Sequence, residues 1–323
     1  MSVEPTGIKT IVVDSVPLLQ SVIDAAIEGL GTNSPSLFLD LEGIHLGRHG
    51  SISIVSLYVP SRETVYLVDV FKLEKESFST VNSDGKSLKF ILESPDILKV
   101  LFDLRNDSDA LFSLYGVSLD GIRDVQLMEL ATRRGSKEFL AGLGKCIVRD
   151  STISAAQKKE WERTKRSTRR LFDPALGGNY EIFNARPIKP GVAKYCAGDV
   201  TLLPNLYSVY NAQLSRPGED FWAVQVLKAT KERIKLSQTS NYNGHCRSNA
   251  RGPWDREYIK EATDQWNDEI MENAMHPDDD DDDDDFLRTL EDHSDQQDCG
   301  STSFKEMFEY TRVLESRVGF WRC

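Results

Sequence analysis

The chain has 323 residues, of which 40% are hydrophobic, and a formal net charge of −12 at pH 7. This hydrophobic content is enough to bury one large core or two modest ones, which excludes a wholly disordered chain. No apolar run approaches the roughly 18 residues of a membrane helix. The first ten residues lack a basic segment followed by an apolar one, the pattern of a secretory leader. We therefore expect a soluble, intracellular protein of the cytoplasm or nucleus that does not bind a membrane.

The negative charge is concentrated towards the C-terminus. From residue 276 onward there are 15 acidic and 5 basic residues, which leaves 36 acidic and 34 basic residues before that point. The body of the protein is therefore close to neutral, and the total charge does not exclude a nucleic-acid partner. The run Asp278–Asp285 cannot fold alone because like charges repel, and it is interpreted as a solvated linker. Weak binding of divalent ions or of a basic partner, and competition with nucleic acid for a basic surface, are the alternatives.

The cysteines are scattered, odd in number and without CxxC spacing. This pattern predicts reduced thiols and indicates neither a disulfide framework nor a zinc site. They are Cys146, Cys196, Cys246, Cys299 and Cys323.

The N-terminal part of the chain predicts one helix and three strands. Residues 16–30 carry apolar side chains at helical spacing and end at Gly31. Three strand-like runs follow, over residues 36–40, 51–59 and 64–70, with turn-forming segments between them. Three such strands joined by short turns predict an antiparallel meander.

After the meander the pattern alternates between helix and strand. A short helix over 88–92, a buried strand over 98–102, a helix over 107–115 and a strand over 122–125 are predicted. Helical stretches then continue to about residue 145. A meander followed by such units predicts an α/β fold, a mixed five-stranded sheet flanked by helices on both faces.

A strongly basic helix is predicted over residues 154–171, around Trp161, within an insertion-like stretch over 149–184. Its basic face either clamps a phosphate backbone, with Trp161 as a stacking aromatic, or is a solvated surface that Trp161 anchors to the core. Further helical patterns over 221–236 and 254–271 predict a C-terminal helical extension.

Four carboxylates and one phenol lie where three elements could bring them together. Asp40 and Glu42 are two residues apart at a strand end, so their side chains point to one face. Asp107 begins a helix after a neighbouring strand, and Tyr195 and Asp199 lie at i and i+4 on a later helix. Mg²⁺ prefers oxygen ligands, and two such ions can stabilise both the attacking and the leaving oxygen of a phosphodiester displacement. Individually, these residues also suit a solvated strand end, a helix cap or a core tyrosine.

In this order the five residues resemble the three exonuclease motifs of the DEDD superfamily, and the tyrosine is typical of its DEDDy branch, near RNase D. Asp124-Val125-Gln126 is similar to the family's Asp-Thr-Gln segment, and Arg186-Pro187-Ile188 to its Arg-Pro-Leu. The resemblance covers about residues 10–214 and extends to fungal exonuclease-domain proteins. It implies an RNase H-like fold and two divalent cations, Mg²⁺ or Mn²⁺. The implied activity is a 3′-5′ exonuclease that releases nucleoside 5′-monophosphates from single-stranded RNA or DNA, with RNA slightly favoured.

The resemblance also suggests a role for each residue of the set. Asp40 bridges both ions, while Glu42 and Asp199 complete the site of the ion that activates water. Asp107 helps to hold the second ion, and Tyr195 orients the nucleophilic water. Asp109 is a competitor for the place of Asp107, but the alignment that starts at Phe102 favours Asp107. All four carboxylates are therefore predicted metal ligands and all five residues catalytic.

Substrate contacts are predicted outside this set, at Phe102, Arg105, Lys158, Arg163 and Arg186. Phe102 stands where the family usually has histidine, and the following Asp103 where it has a small residue. These departures leave open a catalytically weak or inactive nucleic-acid-binding adaptor of the same fold. The histidines of the glycine-containing turn after the first motif, His45 and His49, either touch substrate or a metal or merely belong to the turn, and Arg48 is a further candidate for a phosphate contact.

The predicted organisation has four parts. An exonuclease domain over 10–214 is followed by a helical and extended region over 215–275 and an acidic low-complexity linker over 276–303. An amphipathic segment over 304–323 ends the chain. Its helical spacing makes a homodimer or another protein partner the third functional alternative, beside the exonuclease and the adaptor.

Overall fold

A computed structural model describes residues 7–28, 35 and 37–275 of the chain. Its strands are β1 (Lys9–Val13), β2 (Leu37–Glu42), β3 (Ile54–Val59), β4 (Thr64–Asp69), β5 (Lys99–Leu101) and β6 (Ile122–Asp124). They form one sheet in the order β1-β4-β3-β2-β5-β6. The strand β3 is antiparallel to both β2 and β4, whereas β1 is parallel to β4, β5 to β2, and β6 to β5. The predicted meander followed by parallel strands is confirmed.

The predicted number of five strands is wrong, because β1 adds a sixth at the sheet edge. It pairs in parallel with β4, from Lys9 opposite Thr64 to Val13 opposite Val68. Four of its five residues are exposed. The alternating pattern that identifies a half-buried strand is therefore missing, and pairing with a segment distant in sequence is what makes β1 a strand.

Several helices of the first unit pack on this sheet and contribute to its core. The described residues form twelve α-helices. They are α1 (Val16–Glu28), α2 (Val70–Leu73), α3 (Glu76–Ser79), α4 (Leu88–Glu93), α5 (Arg105–Tyr115), α6 (Val125–Thr132), α7 (Leu143–Asp150), α8 (Ala155–Phe172), α9 (Pro190–Thr201), α10 (Leu203–Leu214), α11 (Asp220–Gln238) and α12 (Arg256–Met275). The predicted basic helix is confirmed as α8. It begins at a capping box, in which the Ser154 side chain accepts from the Gln157 backbone and the Gln157 side chain accepts from Ser154.

Alternation along β2 divides its side chains between two faces of the sheet. Leu37, Leu39 and Leu41 belong to the main hydrophobic core, together with apolar residues of α1, α4 and α5. Asp40 and Glu42 therefore point to the opposite face, where α9 packs against β2, β3 and β4. The same register that buries the leucines places both carboxylates beneath α9.

The described chain divides into two compact units, one ending at Pro253 and one beginning at Trp254. Within the first unit, α11 packs against α5, α6 and β6. In the second unit, α12 confirms the helix predicted over residues 254–271. Helices that combine the length and the hydrophobicity of a membrane span are absent from the described residues. The predicted domain boundaries stay predictions, and the acidic run and the C-terminal amphipathic segment lie outside the described residues.

Candidate metal centre

The centre is formed by three carboxylates from β2 and α9. Asp40, Glu42 and Asp199 each offer one carboxylate oxygen, and these oxygens all lie within 4.8 Å of one another. Asp40 and Glu42 are half-buried, and Asp199 is buried. The pattern of two residues on one strand face and a third on a helix is the convergence that the sequence predicts.

Burial and mutual repulsion disfavour three negative charges at this place. Burial, and then the charge of Asp199, raise the pKa of Asp40 to about 7, while Lys165 opposes the shift. Burial, and then the charges of Asp40 and Asp199, raise the pKa of Glu42 well above its ordinary value. A bound cation would reverse these shifts because it stabilises the ionised forms.

One atom of the centre has no hydrogen-bond partner within the described residues. The Asp199 side chain is only 5% exposed, and its Oδ1 atom is buried and unbonded. A buried oxygen without a partner is costly unless a ligand satisfies it. Together with the all-oxygen donor set, this atom fits a hard divalent cation such as Mg²⁺ or Mn²⁺.

A lysine that the sequence interpretation did not assign to the centre reaches it from α8. The Nζ atom of Lys165 donates to Asp199 Oδ2 at 2.8 Å. It also lies 5.0 Å from the ring centroid of Trp161 and 5.2 Å from that of Tyr195. Because Lys165 follows Trp161 by four residues, the helical spacing placed both on one side of α8. What the spacing did not reveal is that this side faces the carboxylates.

Tyr195 lies at the centre, as predicted. It is buried, and its hydroxyl lies close to the Glu42 carboxylate. Burial, and then the charge of Glu42, raise the pKa of the phenol well above its ordinary value. The phenol therefore remains protonated at neutral pH and serves as a hydrogen-bond donor, and Phe172 packs 5.5 Å from its ring.

Asp107 lies beside the three carboxylates without joining the set. It is in the first turn of α5 and is buried. Burial, and then the charge of Asp40, raise its pKa well above the ordinary value. The competing residue Asp109 is already bound, because it accepts from the Nε atom and the backbone N–H of Arg48, both at 2.8 Å. The choice of Asp107 as a metal ligand stays a prediction.

Two of the predicted substrate contacts are arginines that the fold already uses. Arg186 donates from Nε and Nη2 to Asp69 and from Nη1 to the carbonyls of Phe183 and Ala185. Arg105 forms a two-bond ion pair with Asp103, at 2.6 and 2.7 Å, and is buried. Their contacts give both arginines a structural role, so the assignment of either to substrate is not supported.

Arg48 is likewise no candidate for a phosphate contact. Besides Asp109, its guanidinium binds the backbone carbonyls of Ser237, Thr239 and Ser240 at 2.7–2.9 Å. In the same turn His45 packs against Tyr180, with 5.1 Å between the ring centroids. These contacts favour a structural explanation of the turn.

The unusual Phe102-Asp103 pair forms a strained turn before α5. Asp103 has a left-handed φ of 60°, which explains why a small residue is usual at this position. Its N–H donates to Asp124 Oδ1 at 3.0 Å, and its carboxylate faces Arg105 and Arg233. These bonds hold the turn, while Phe102 stays partly exposed beside it.

The contacts of Trp161 decide between the two interpretations of this aromatic residue. A Cβ atom at Gly144 or Gly198 would lie 3.4–3.7 Å from the indole, so the ring packs against both glycines. Trp161 therefore anchors α8 rather than offering a stacking surface. Of the predicted contacts on this helix, Lys158 donates to the Val148 carbonyl at 2.9 Å, and Arg163 is exposed and paired with Glu160 at 2.6 Å.

Comparison with known proteins agrees with this geometry. A family model described as 3′-5′ exonuclease matches residues 22–214, a segment that contains all five residues of the predicted site. Among curated proteins, the mouse piRNA biogenesis protein EXD1 is 32% identical over 167 residues, which is 50% of this chain and 26% of that protein. The human protein of the same name is 29% identical over 177 residues, 54% of this chain and 32% of its own length. The match thus spans about a quarter to a third of these relatives.

Solved structures with a similar fold include Trypanosoma brucei RNase D in complex with the RNA U12. Its TM-score is 0.58 at 20% identity, and the match covers 79% of both chains. The GMP complex of the same enzyme has a TM-score of 0.59 at 19% identity, covering 78% of this chain and 71% of that one. At this level of identity the similarity shows the fold.

Proposed function

Since this chain belongs to the 3′-5′ exonuclease family, whose model matches more than half of it, we propose that it is a two-metal-ion 3′-5′ exonuclease. It would hydrolyse the phosphodiester bond at the 3′ end of single-stranded nucleic acid and release nucleoside 5′-monophosphates. The observation that carries the proposal is the convergence of the Asp40, Glu42 and Asp199 carboxylate oxygens within 4.8 Å, where the buried Asp199 Oδ1 has no hydrogen-bond partner in the described part of the chain.

Asp40, Glu42 and Asp199 would hold two Mg²⁺ or Mn²⁺ ions, with Asp107 assisting from α5. When bound, such ions activate water and stabilise the charge on the attacking and leaving oxygens. The protonated Tyr195 phenol, packed against Phe172 and close to Glu42, would orient the water by hydrogen bonding. Lys165 supplies a positive charge at Asp199 and thereby lowers the repulsion among the carboxylates.

The proposed contacts to substrate are Phe102, Lys158 and Arg163. Phe102 is partly exposed at the turn before α5, where its ring could lie against a base. Lys158 and Arg163 lie on the outer side of α8 and would meet phosphate oxygens. RNA is slightly favoured as the substrate, because the structural relative of similar fold is an RNase D bound to RNA.

The test is shortening of a 5′-labelled oligonucleotide, as RNA and as DNA, by the wild type and by Asp40→Asn. With Mg²⁺ or Mn²⁺ the wild type should give a ladder of products shortened from the 3′ end, and EDTA should abolish it. A 3′-blocked substrate distinguishes an exonuclease, which it stops, from an endonuclease. Asp264→Asn on α12 is a matched control that should behave as the wild type. Degradation by Asp40→Asn at the wild-type rate would refute the assignment.

The second candidate is an adaptor that binds nucleic acid and turns it over weakly or not at all. Phe102 in place of the family's usual histidine, next to the strained Asp103, is the observation that favours it. This adaptor would bind single-stranded nucleic acid. Addition of Mg²⁺ or Mn²⁺ would produce no ladder of shortened products, even at high protein concentration.

A further inference from the structure

An open groove of about 790 Å³ runs along the outer side of α8. Six of its lining residues carry charge, and five of these are basic. They are Lys158, Lys159, Arg163, Arg166 and Arg170, against the single acid Glu162. The exposed Val148 of α7 also lines the groove. It is thus a strongly positive surface in a chain whose total charge is negative.

Three of these cations have no partner among the described residues. Lys159, Arg166 and Arg170 are exposed, and within that part of the chain their side chains make no hydrogen bond or ion pair. By contrast, Arg163 is paired with Glu160, and Arg169, outside the groove, with Asp173.

The spacing of the groove cations is unfavourable for an isolated helix. Lys159 precedes Arg163 by four residues, and Arg166 precedes Arg170 by four. Like charges at i and i+4 lie side by side on a helix and destabilise it. Glu162, four residues from both Lys158 and Arg166, offsets only part of this repulsion, and a bound polyanion would offset the rest.

The same helix is fixed to the metal centre by its inner side. Lys165 reaches Asp199 at 2.8 Å, Thr168 donates to the Gly191 carbonyl at 3.2 Å, and Trp161 packs against Gly198. At 1.5 Å per residue, the groove cations from Lys159 to Arg170 extend over about 17 Å of the helix. The helix therefore fixes the position of the cationic groove relative to the carboxylates.

We propose that this groove binds the phosphodiester backbone of a single strand several nucleotides upstream of the 3′ end. The inference rests on the proposed function, which places the 3′-terminal linkage at the carboxylates. Recognition would be through charge, because Lys and Arg contacts to phosphate carry no sequence information. Trp161, the aromatic side chain in the middle of α8, packs against Gly144 and Gly198 and does not line the groove, so binding in the groove should tolerate any sequence.

The test compares the triple variant Lys159→Glu, Arg166→Glu, Arg170→Glu with the matched charge reversal Arg216→Glu, Lys228→Glu, Lys235→Glu. All six positions are exposed, and the control residues lie near or on α11. Affinity for a labelled 20-mer and a labelled tetranucleotide is measured by fluorescence anisotropy in EDTA over a range of salt concentrations. Circular dichroism and the melting temperature verify that both variants are folded.

The groove variant should bind the 20-mer at least about tenfold more weakly, and the slope of log affinity against log salt should fall by about 2, as expected for three lost phosphate contacts. Its affinity for the tetranucleotide, and shortening of that substrate, should match the wild type and the control. Wild-type affinity and slope for the 20-mer would overturn the proposal. So would an equal loss for both substrates, because the defect would then lie at the centre.

Two further results separate this proposal from its alternatives. In the first result, the wild type binds the 20-mer and the groove variant does not, but neither protein shortens any substrate. This result would support backbone binding by the groove and refute the proposed exonuclease activity. In the second result, the wild type and the groove variant bind and shorten the 20-mer equally well. This result would support the exonuclease activity and refute backbone binding by the groove. Groove-dependent binding of an octa-aspartate peptide without binding of the 20-mer would identify an acidic protein segment as the occupant and would overturn the proposal.

Discussion

Two sets of buried or half-buried carboxylates in this fold differ in their partners. In the first set each carboxylate meets a guanidinium from a distant part of the chain. These pairs are Asp69 with Arg186, Asp109 with Arg48, and Asp124 with Arg233. The second set consists of Asp40, Glu42 and Asp199, which face one another and share one lysine.

The difference separates structural from functional carboxylates. A buried charge that meets an arginine is compensated within the fold. The second set is compensated only in part. The pKa of Asp40 therefore rises to about 7, and Asp199 Oδ1 has no hydrogen-bond partner among the described residues. The fold thus leaves a deficit of positive charge at one place, and a divalent cation is the ligand that removes it.

Removing an arginine from the first set should have the largest effect. Arg233→Ala should lower the free energy of unfolding by about 3–5 kcal/mol, because it leaves the fully buried Asp124 carboxylate without its cation. Urea denaturation measures this change. The exposed Arg216→Ala should stay within about 0.5 kcal/mol of the wild type. An equally small effect at Arg233 would remove the distinction between the two sets.

Removing a carboxylate from the second set should impair activity and leave the fold intact. Asp40→Asn should slow metal-dependent shortening by on the order of 100-fold or more, about 2.7 kcal/mol of transition-state stabilisation. Its melting temperature without metal should equal or exceed that of the wild type, because one repelling charge is gone. Single-turnover kinetics and calorimetry test both statements. A strongly destabilised Asp40→Asn would place Asp40 in the structural set.

Removing Lys165, the lysine that the second set shares, should raise the affinity of this set for a divalent cation. Lys165→Met frees Asp199 from a competing cation, so the dissociation constant for Mn²⁺ should fall by on the order of tenfold, about 1.4 kcal/mol. Titration calorimetry measures the affinity. Lys194→Met, which removes an exposed lysine of α9 that pairs with Glu160, is the control. An unchanged or weaker Mn²⁺ affinity in Lys165→Met would show that the ammonium does not compete.

The smallest expected effect is a dependence of stability on pH. The pKa of Asp40 is raised from 3.8 to about 7 in the folded protein, so between these values the folded state binds more protons than the unfolded state. The melting temperature of the metal-free protein should therefore fall as the pH rises from about 5 to 7. Thermal unfolding in EDTA measures it, and Asp40→Asn should reduce the slope. A slope of the opposite sign would contradict the raised pKa.

The convergence of the candidate site could be predicted from the sequence because it follows from local periodicity. Asp40 and Glu42 share a strand face, and Tyr195 and Asp199 share a helix face, whatever the rest of the chain does. The order of strands and helices between them then limited the arrangement to a mixed sheet. The boundaries of α8 could also be predicted from the sequence, because its capping box and its basic helical pattern are local features.

The partners of the charged residues were decided by tertiary structure alone. Arg186 and Arg105 were predicted to contact substrate, yet one binds Asp69 across the fold and the other is held at the strained Asp103 turn. The edge strand β1 exists only through pairing with β4.

The local sequence does not distinguish Lys165 from the other basic residues of α8. Only the packing of α8 on α9 directs Lys165 to Asp199. The sequence by itself determined which carboxylates share a face. Which charges meet depends on contacts between distant segments, and these have no local periodicity.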